Sequence, residues 1–308
     1  MNPRGLGGII RRMIDTVELM RKVRSIRILT NRLVDERLAG DWRSSFHGQG
    51  LEFEEIREYH PGDDVRTIDW NVTARTGVPQ TKRFSEERRL TVLFLVDVSG
   101  SQSFGSGARA KSDLAAELAC LLALTSIRNQ DEVGLVLFSD RIVKTVPPRK
   151  GRTAVMRIVR EVLAAADGAV GGGTDIAGAL DWIAAVQRRK AVVFLVSDFQ
   201  DEGWEGRLAA LARRHDLICC PVSDPAESRL PDAGLVELED PETGDAVWAD
   251  LSSRAVRDAF DADAAARAES LRSLFRRSGA DSMEFRTDED PIGPVRAFFR
   301  RRAAKLRR

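Results

Sequence analysis

Leu90-Thr-Val-Leu-Phe-Leu-Val-Asp97-Val-Ser99-Gly-Ser101 is an apolar run that stops abruptly at a carboxylate. Its β-branched and aromatic residues predict a strand buried on both faces of a parallel sheet, with the polar groups at its carboxyl end. Ligands of open α/β sheets bind in the crevice beyond that end, where successive loops diverge. Asp97, Ser99 and Ser101 are therefore the first candidate site residues.

Downstream, apolar positions at helical spacing (Leu114, Leu118, Leu121, Leu122) predict a helix over Lys111 to Arg128. A second buried strand follows at Val133 to Phe138, and a shorter one at Ile142 to Val146 reads as an antiparallel edge. A helix over Thr153 to Leu163 leads to Gly171-Gly172-Gly173-Thr174-Asp175, and another helix covers Ile176 to Val186. The strand Ala191 to Val196 ends in Ser197-Asp198-Phe199, placing a second carboxylate at a strand terminus. Helix Glu205 to Arg214 and strand Leu217 to Val222 continue the alternation, which implies a doubly wound, mostly parallel α/β sheet covered on both sides.

Around this unit, residues 1–45 are expected to form a helical extension, with an amphipathic, basic stripe from Ile9 to Leu38. Residues 46–89 read as a small β-rich insertion broken by the turn Pro61-Gly62-Asp63. Its crowded carboxylates lack calcium-loop spacing, and Arg57, Arg66, Arg75 and Arg83 stand close enough to pair with them. The sheet unit spans 90–225. Residues 226–308 supply a hairpin around Leu235 to Leu238 and Ala246 to Trp248, a helix over Ser253 to Arg277, a last strand at Ser282 to Phe285, and a short helix running into the basic tail Arg296 to Arg308.

The 308 residues carry a formal net charge of +1, which argues against a nucleic-acid footprint over the whole surface. Cys120, Cys219 and Cys220 lie in buried patterns and read as reduced thiols rather than a disulfide framework. No secretory signal is legible, and no apolar run reaches the length of a membrane span. A cytoplasmic protein is expected, with peripheral contact at the inner face of a membrane through the basic termini as a further possibility.

Asp97, Ser99, Ser101, Thr174 and Asp198 are all hard oxygen donors expected at one sheet edge. Such a set suits Mg²⁺ or Mn²⁺, and hydroxyl ligands leave the ion electrophilic enough to seek a carboxylate from another molecule. Competing readings exist. Thr174 is also suited to capping the following helix. Asp97 at a strand end is placed as a metal-assisted phosphatase or phosphotransferase nucleophile would be, although Ser99 stands where a second Asp is wanted. Gly105 to Ser112 resembles a phosphate-binding loop, but Ala110 replaces the glycine before Lys111.

The Asp97-x-Ser99-x-Ser101, Thr174 and Asp198 constellation resembles the metal-ion-dependent adhesion site of von Willebrand factor A (vWA) domains. In addition, Glu52-Phe53-x-Glu55-x-Arg57-x-Tyr59-x-Pro61-Gly62-Asp63-Asp64-x-Arg66-x-Ile68-Asp69-Trp70 resembles the signature of bacterial vWA-like proteins encoded beside MoxR-type AAA+ ATPases, a family labelled as a domain of unknown function. Together the matches cover roughly Phe46 to Val222. The resemblance implies that Ser99, Ser101 and Thr174 ligate Mg²⁺ (or Mn²⁺) directly or nearly so, with Asp97 and Asp198 acting directly or through water. It further implies a non-enzymatic adaptor for a MoxR-type ATPase and a client protein. A membrane-surface scaffold is the remaining alternative.

Overall fold

A computed structural model describes residues 36–46, 52–85, 90–167, 172–239 and 246–306. Most of the amphipathic stripe from Ile9 to Leu38, the Gly171 end of the glycine loop and the 241–245 turn of the hairpin lie outside them.

The opening stretch forms strand β3 (Thr91–Asp97), and its pleat decides how the molecule is layered. Val92, Phe94 and Val96 enter one core, while Leu93 and Leu95 enter the other. That split follows from the two-residue period of a strand. Around β3 the order is β10-β7-β6-β3-β4-β5, with β11 also paired to β7; among the described residues this makes a seven-stranded sheet. Strands β4 (Glu132–Phe138), β6 (Val192–Ser197) and β7 (Asp216–Ser223) run parallel to β3, whereas β5 (Ile142–Arg149) returns antiparallel at the edge. β5 runs past the expected Val146 through Pro147 and Pro148, which an edge strand tolerates. The expected last strand is instead two short parallel additions to β7, β10 (Asp281–Ser282) and β11 (Phe285–Arg286).

Helices cover both faces. α1 (Glu36–Phe46), α3 (Lys111–Arg128), α4 (Arg152–Asp167) and α8 (Ile292–Leu306) pack on the Phe94 side. α5 (Ile176–Val186), α6 (Glu205–Arg214) and the end of α7 (Arg254–Ser278) pack on the Leu95 side. The basic tail is mostly helix α8, longer than the short helix expected. Val295, Phe298 and Phe299 anchor it in the core, and Arg302 pairs with Asp216 and Asp281. No helix among the described residues is long and apolar enough to cross a membrane. Cys120, Cys219 and Cys220 are buried and free, and burial pushes the Cys219 and Cys220 thiols up.

The signature segment builds β1 (Glu52–Glu58) and β2 (Gln80–Ser85), an antiparallel pair, with the short α2 (Trp70–Thr76) between them. Three of its carboxylates have structural partners. Asp63 accepts from Arg57 at 2.7 Å and from the His60 N–H, Asp64 accepts from the Arg66 N–H, and Asp69 caps α2 through the Asn71 and Val72 N–H groups. Gly62 takes φ +112°, as the Pro-Gly turn requires.

At the opposite end of the sheet from the polar loops, Asp131 sits fully buried before β4. Its carboxylate accepts from the Trp42 indole N–H at 3.0 Å and the Leu90 N–H at 3.1 Å. Burial nevertheless pushes its pKa up to about 7. The folded chain therefore holds a proton that the unfolded chain releases near pH 4, so stability falls as pH rises from about 4 to about 7. Urea midpoints taken across pH 6 to 8 are expected to drop for the wild type and to drop less for Asp131→Asn. Parallel profiles would show that Asp131 does not titrate in this window.

Candidate metal centre

The chain climbs β3, crosses to β4 and β5 on one side, then returns to β6 on the other. The switch in strand order therefore falls between the carboxyl ends of β3 and β6, where the loops part and leave a crevice. Asp97 closes β3 there, and Ser197 closes β6.

Asp97 is 1% exposed, and each of its oxygens accepts a hydrogen bond. One oxygen accepts from the Ser99 N–H at 2.9 Å and the other from the Ser197 hydroxyl at 2.6 Å. These bonds lower its pKa, but burial and the charge of Asp198 outweigh them, pushing it up to about 6. The Asx-type bond to Ser99 turns the chain, and the Ser99 and Ser101 hydroxyls come within 3.2 Å of each other, both buried. A single 3₁₀ turn, Gly100–Ser103, holds them. The Gly100 N–H reaches the Gly172 carbonyl at 3.4 Å, and the Asp175 N–H donates to the Ser139 carbonyl at 2.8 Å. The first bond joins the Thr174 loop to the Ser99–Ser101 turn, and the second ties it to the end of β4. Asp175, not Thr174, caps α5, accepting from the Gly178 N–H at 2.7 Å.

Asp198 has a different partner. Lys111, the first residue of α3, places its ammonium 2.7 Å from the Asp198 carboxylate and 2.5 Å from Glu227, which lies just after β7. The Lys111 side chain is 1% exposed and that of Asp198 is 2% exposed. Burial would lower the Lys111 pKa, but the two carboxylates raise it above its ordinary value. Phe199 holds Asp198 in place from the next position, at φ +59°, a left-handed conformation costly for a bulky residue. Its ring is locked between Trp204 and Phe275, and its N–H donates to the Ser197 hydroxyl.

Sequence reasoning missed Ser197, Lys111, Glu227 and Asp140. Lys111 carried a signal: it shares the i, i+3, i+4, i+7 face with Leu114, Ala115 and Leu118, so a charge sits on a buried stripe. Asp140 follows β4, and its carboxyl carbon lies 3.3 Å from where a side chain at Gly172 would begin. The phosphate-loop resemblance dissolves in the structure. Ser106 gives both its N–H and its hydroxyl to the buried Asp224, and Lys111 is committed to carboxylates. Although burial raises the Asp224 pKa, its bonds from Ser106, Thr287 and Ala226 hold it below the usual range.

Among the described residues no three His, Cys, Asp or Glu side chains come together as a metal-ligand set, so a small hard cation would rely on the hydroxyls here. Two buried hydroxyls converge, Asp198 and Glu227 share the Lys111 ammonium, and Asp97 adds a third carboxylate close enough for the charge of Asp198 to raise its pKa. Gln102, next to Ser101 and 1% exposed, has neither amide atom hydrogen-bonded among the described residues. Buried amides are ordinarily hydrogen-bonded, so Gln102 is an exception in the turn that carries Ser101.

The chain is 33% identical over 300 residues to uncharacterized proteins of Mycobacterium tuberculosis (Rv1480) and Mycobacterium bovis (Mb1516), covering 96% of this chain and 94% of each relative. A shorter uncharacterized protein of Mycobacterium avium is 34% identical over 158 residues, 51% of this chain and 93% of its own. A solved structure described as an uncharacterized membrane spanning protein from Vibrio fischeri is 16% identical, covers 69% of this chain and 96% of that one, and superposes with a TM-score of 0.24, too low to carry an argument. The family model described as "Protein of unknown function DUF58" matches residues 55–270. With that match over most of its length, this chain belongs to the DUF58 family.

Proposed function

We propose that this protein is a non-enzymatic, Mg²⁺-dependent adaptor of the vWA type, working in the cytoplasm with a MoxR-type AAA+ ATPase to remodel or mature other protein complexes. The observation that carries this reading is the buried Ser99–Ser101 hydroxyl pair, 3.2 Å apart, at the switch point beside Asp97. Ser99, Ser101 and Thr174 would hold the ion, Asp97 would orient the turn through the Ser99 N–H, and Asp198 would contribute charge from its pair with Lys111. When bound, Mg²⁺ supplies a positive centre that a partner's Asp or Glu can complete. The partner is thereby selected for an exposed carboxylate on a protruding segment.

The phosphotransferase reading finds less support. A nucleophilic aspartate must offer a free oxygen to substrate, whereas both oxygens of Asp97 are engaged and the residue is almost wholly buried.

Binding of Mn²⁺ as a spectroscopic stand-in for Mg²⁺ tests the proposal. The wild type is expected to bind one ion, and Ser99→Ala/Ser101→Ala to bind at least about tenfold more weakly, since even outer-shell losses at metal sites cost that much. Co-elution with the MoxR-type ATPase is expected in Mg²⁺ and is expected to be lost in EDTA and in the double variant. Equal Mn²⁺ binding by both forms would remove the hydroxyl pair from the site; a complex that survives EDTA would remove the ion from the interface.

A further inference from the structure

The hairpin formed by β8 (Leu235–Glu239) and β9 (Ala246–Asp250) stands apart from the central sheet as its own two-stranded sheet. Between Arg229 and Arg254 every charged side chain is a carboxylate. The hairpin nonetheless exposes large apolar groups: Leu235 at 66%, Val247 at 65% and Trp248 at 63%. Register places Glu237 opposite Trp248 and Leu235 opposite Asp250. Residues directly opposite share a face, and the next pair along is within diagonal reach of a long side chain. One exposed face therefore carries Trp248 and Leu235 on one diagonal and Glu237 and Asp250 on the other.

The base of this face is fixed. Leu251 is buried, its N–H donates to the Gly234 carbonyl at 2.7 Å, and the Arg257 guanidinium donates to the Leu251 carbonyl at 2.5 Å and also pairs with Asp232. Asp250 accepts from the Ser252 hydroxyl and N–H, which hold its pKa below the ordinary value and keep it charged. On this rooted sheet face Trp248 and Leu235 are diagonal neighbours, so their exposed apolar area is adjacent rather than scattered, and it is flanked by Glu237 and Asp250.

We propose that this hairpin face docks a basic amphipathic segment of a partner protein, Trp248 and Leu235 receiving its apolar side chains while Glu237 and Asp250 pair with its Lys or Arg. Charge selects this occupant. The charged residues of the hairpin itself are all carboxylates, which repel nucleic acid, anionic membrane and an acidic peptide alike. The surface lies outside the residues of the metal centre, so docking here does not depend on a bound ion. Aromatic anchors surrounded by complementary charge are where interface energy concentrates.

Fluorescence anisotropy of the full-length protein with three labelled peptides tests this: an amphipathic Leu/Lys peptide, its Leu/Glu counterpart, and a peptide of residues 1–35. The Leu/Lys peptide is expected to bind in low salt, to weaken as salt screens the carboxylates, and to bind equally with EDTA. Trp248→Ala is expected to weaken it at least about tenfold, and Glu237→Lys/Asp250→Lys to abolish it. Trp70→Ala, which removes another exposed tryptophan, serves as the control and leaves binding unchanged. All four side chains are exposed, so the variants keep the fold. Equal binding by wild type and Trp248→Ala, or binding of the Leu/Glu peptide, overturns the proposal. If the 1–35 peptide alone binds at Trp248, the occupant is this chain's own amino-terminal segment and a separate partner is ruled out.

Discussion

Lys111→Met is expected to destabilise the protein by about 3–5 kcal/mol at pH 7, the usual cost of removing one partner from a buried ion pair. The cost arises because two carboxylates lose their ammonium. Asp198 is almost wholly buried, and the side chain of Glu227 is only 22% exposed. Glu227 can recover some hydration, so most of the penalty falls on Asp198. The pH dependence identifies the cause. An unpaired buried carboxylate takes up a proton at a higher pH than it does unfolded, so the variant regains stability as pH falls from 7 towards 5. Wild-type Lys111 behaves oppositely at high pH: its folded pKa is raised, so its contribution is complete below pH 10 and is lost as pH rises beyond that. A deficit unchanged between pH 7 and 5 would mean that lost packing of the lysine stem, not lost charge, explains the effect. On the adaptor reading, Mn²⁺ should raise the melting temperature of Lys111→Met more than that of the wild type, because the cluster then lacks its internal cation.

That internal cation changes the picture of the site drawn from sequence alone. Asp97, Ser99 and Ser101 were legible because a buried strand must end somewhere, and polar residues immediately after an unbroken apolar run have only the sheet edge to occupy. Asp198 was legible for the same reason. Its partner was not, because Lys111 meets it across 87 residues of chain, and no local pattern encodes which loops of a sheet edge touch. The same division runs through the fold. Helices α3, α5 and α6 match their expected bounds, since amphipathic spacing and flanking polar residues are local. β10 and β11 are two residues each and exist only because β7 offers them an edge. Helix α8 was read through its charge, although Val295, Phe298 and Phe299 already held the i, i+3, i+4 spacing of a buried face. Many arginines on one segment hid a core helix.

The loop after the Ser99–Ser101 turn gives the site a fixed frame. Arg109 donates to the carbonyls of Arg286, Thr287 and Glu289 and to the Glu117 carboxylate, while Asp224 gathers Ser106 and Thr287. Chain segments far apart in sequence thus converge behind the candidate metal turn. On the adaptor reading, preorganisation of this kind would limit how far Ser99 and Ser101 move to meet an ion.

Trp42→Ala is expected to cost about 3–5 kcal/mol through the cavity it leaves, and to do so in a single unfolding transition. Trp42 lies on α1, the last part of what the sequence presents as an amino-terminal extension. It is nevertheless fully buried, with ring centroids 4.6 Å from Phe46, 5.2 Å from Phe299 and 5.9 Å from Phe194 on β6. Phe194 in turn stacks on Phe94 of β3, so the aromatic chain runs from α1 into the centre of the sheet. The indole N–H also donates to Asp131, a bond that holds that carboxylate's pKa down against burial. Trp42→Phe separates the two roles: it keeps a ring in the cavity but removes the donor. Its cost should be smaller at pH 6 than at pH 8, since Asp131 is then protonated over a wider range and stability falls more steeply as pH rises. If Trp42→Phe followed the wild-type pH profile, the indole N–H would contribute nothing to Asp131. If Trp42→Ala left the main transition unchanged, α1 would be an appendage; one cooperative loss makes it part of the layer that covers the sheet.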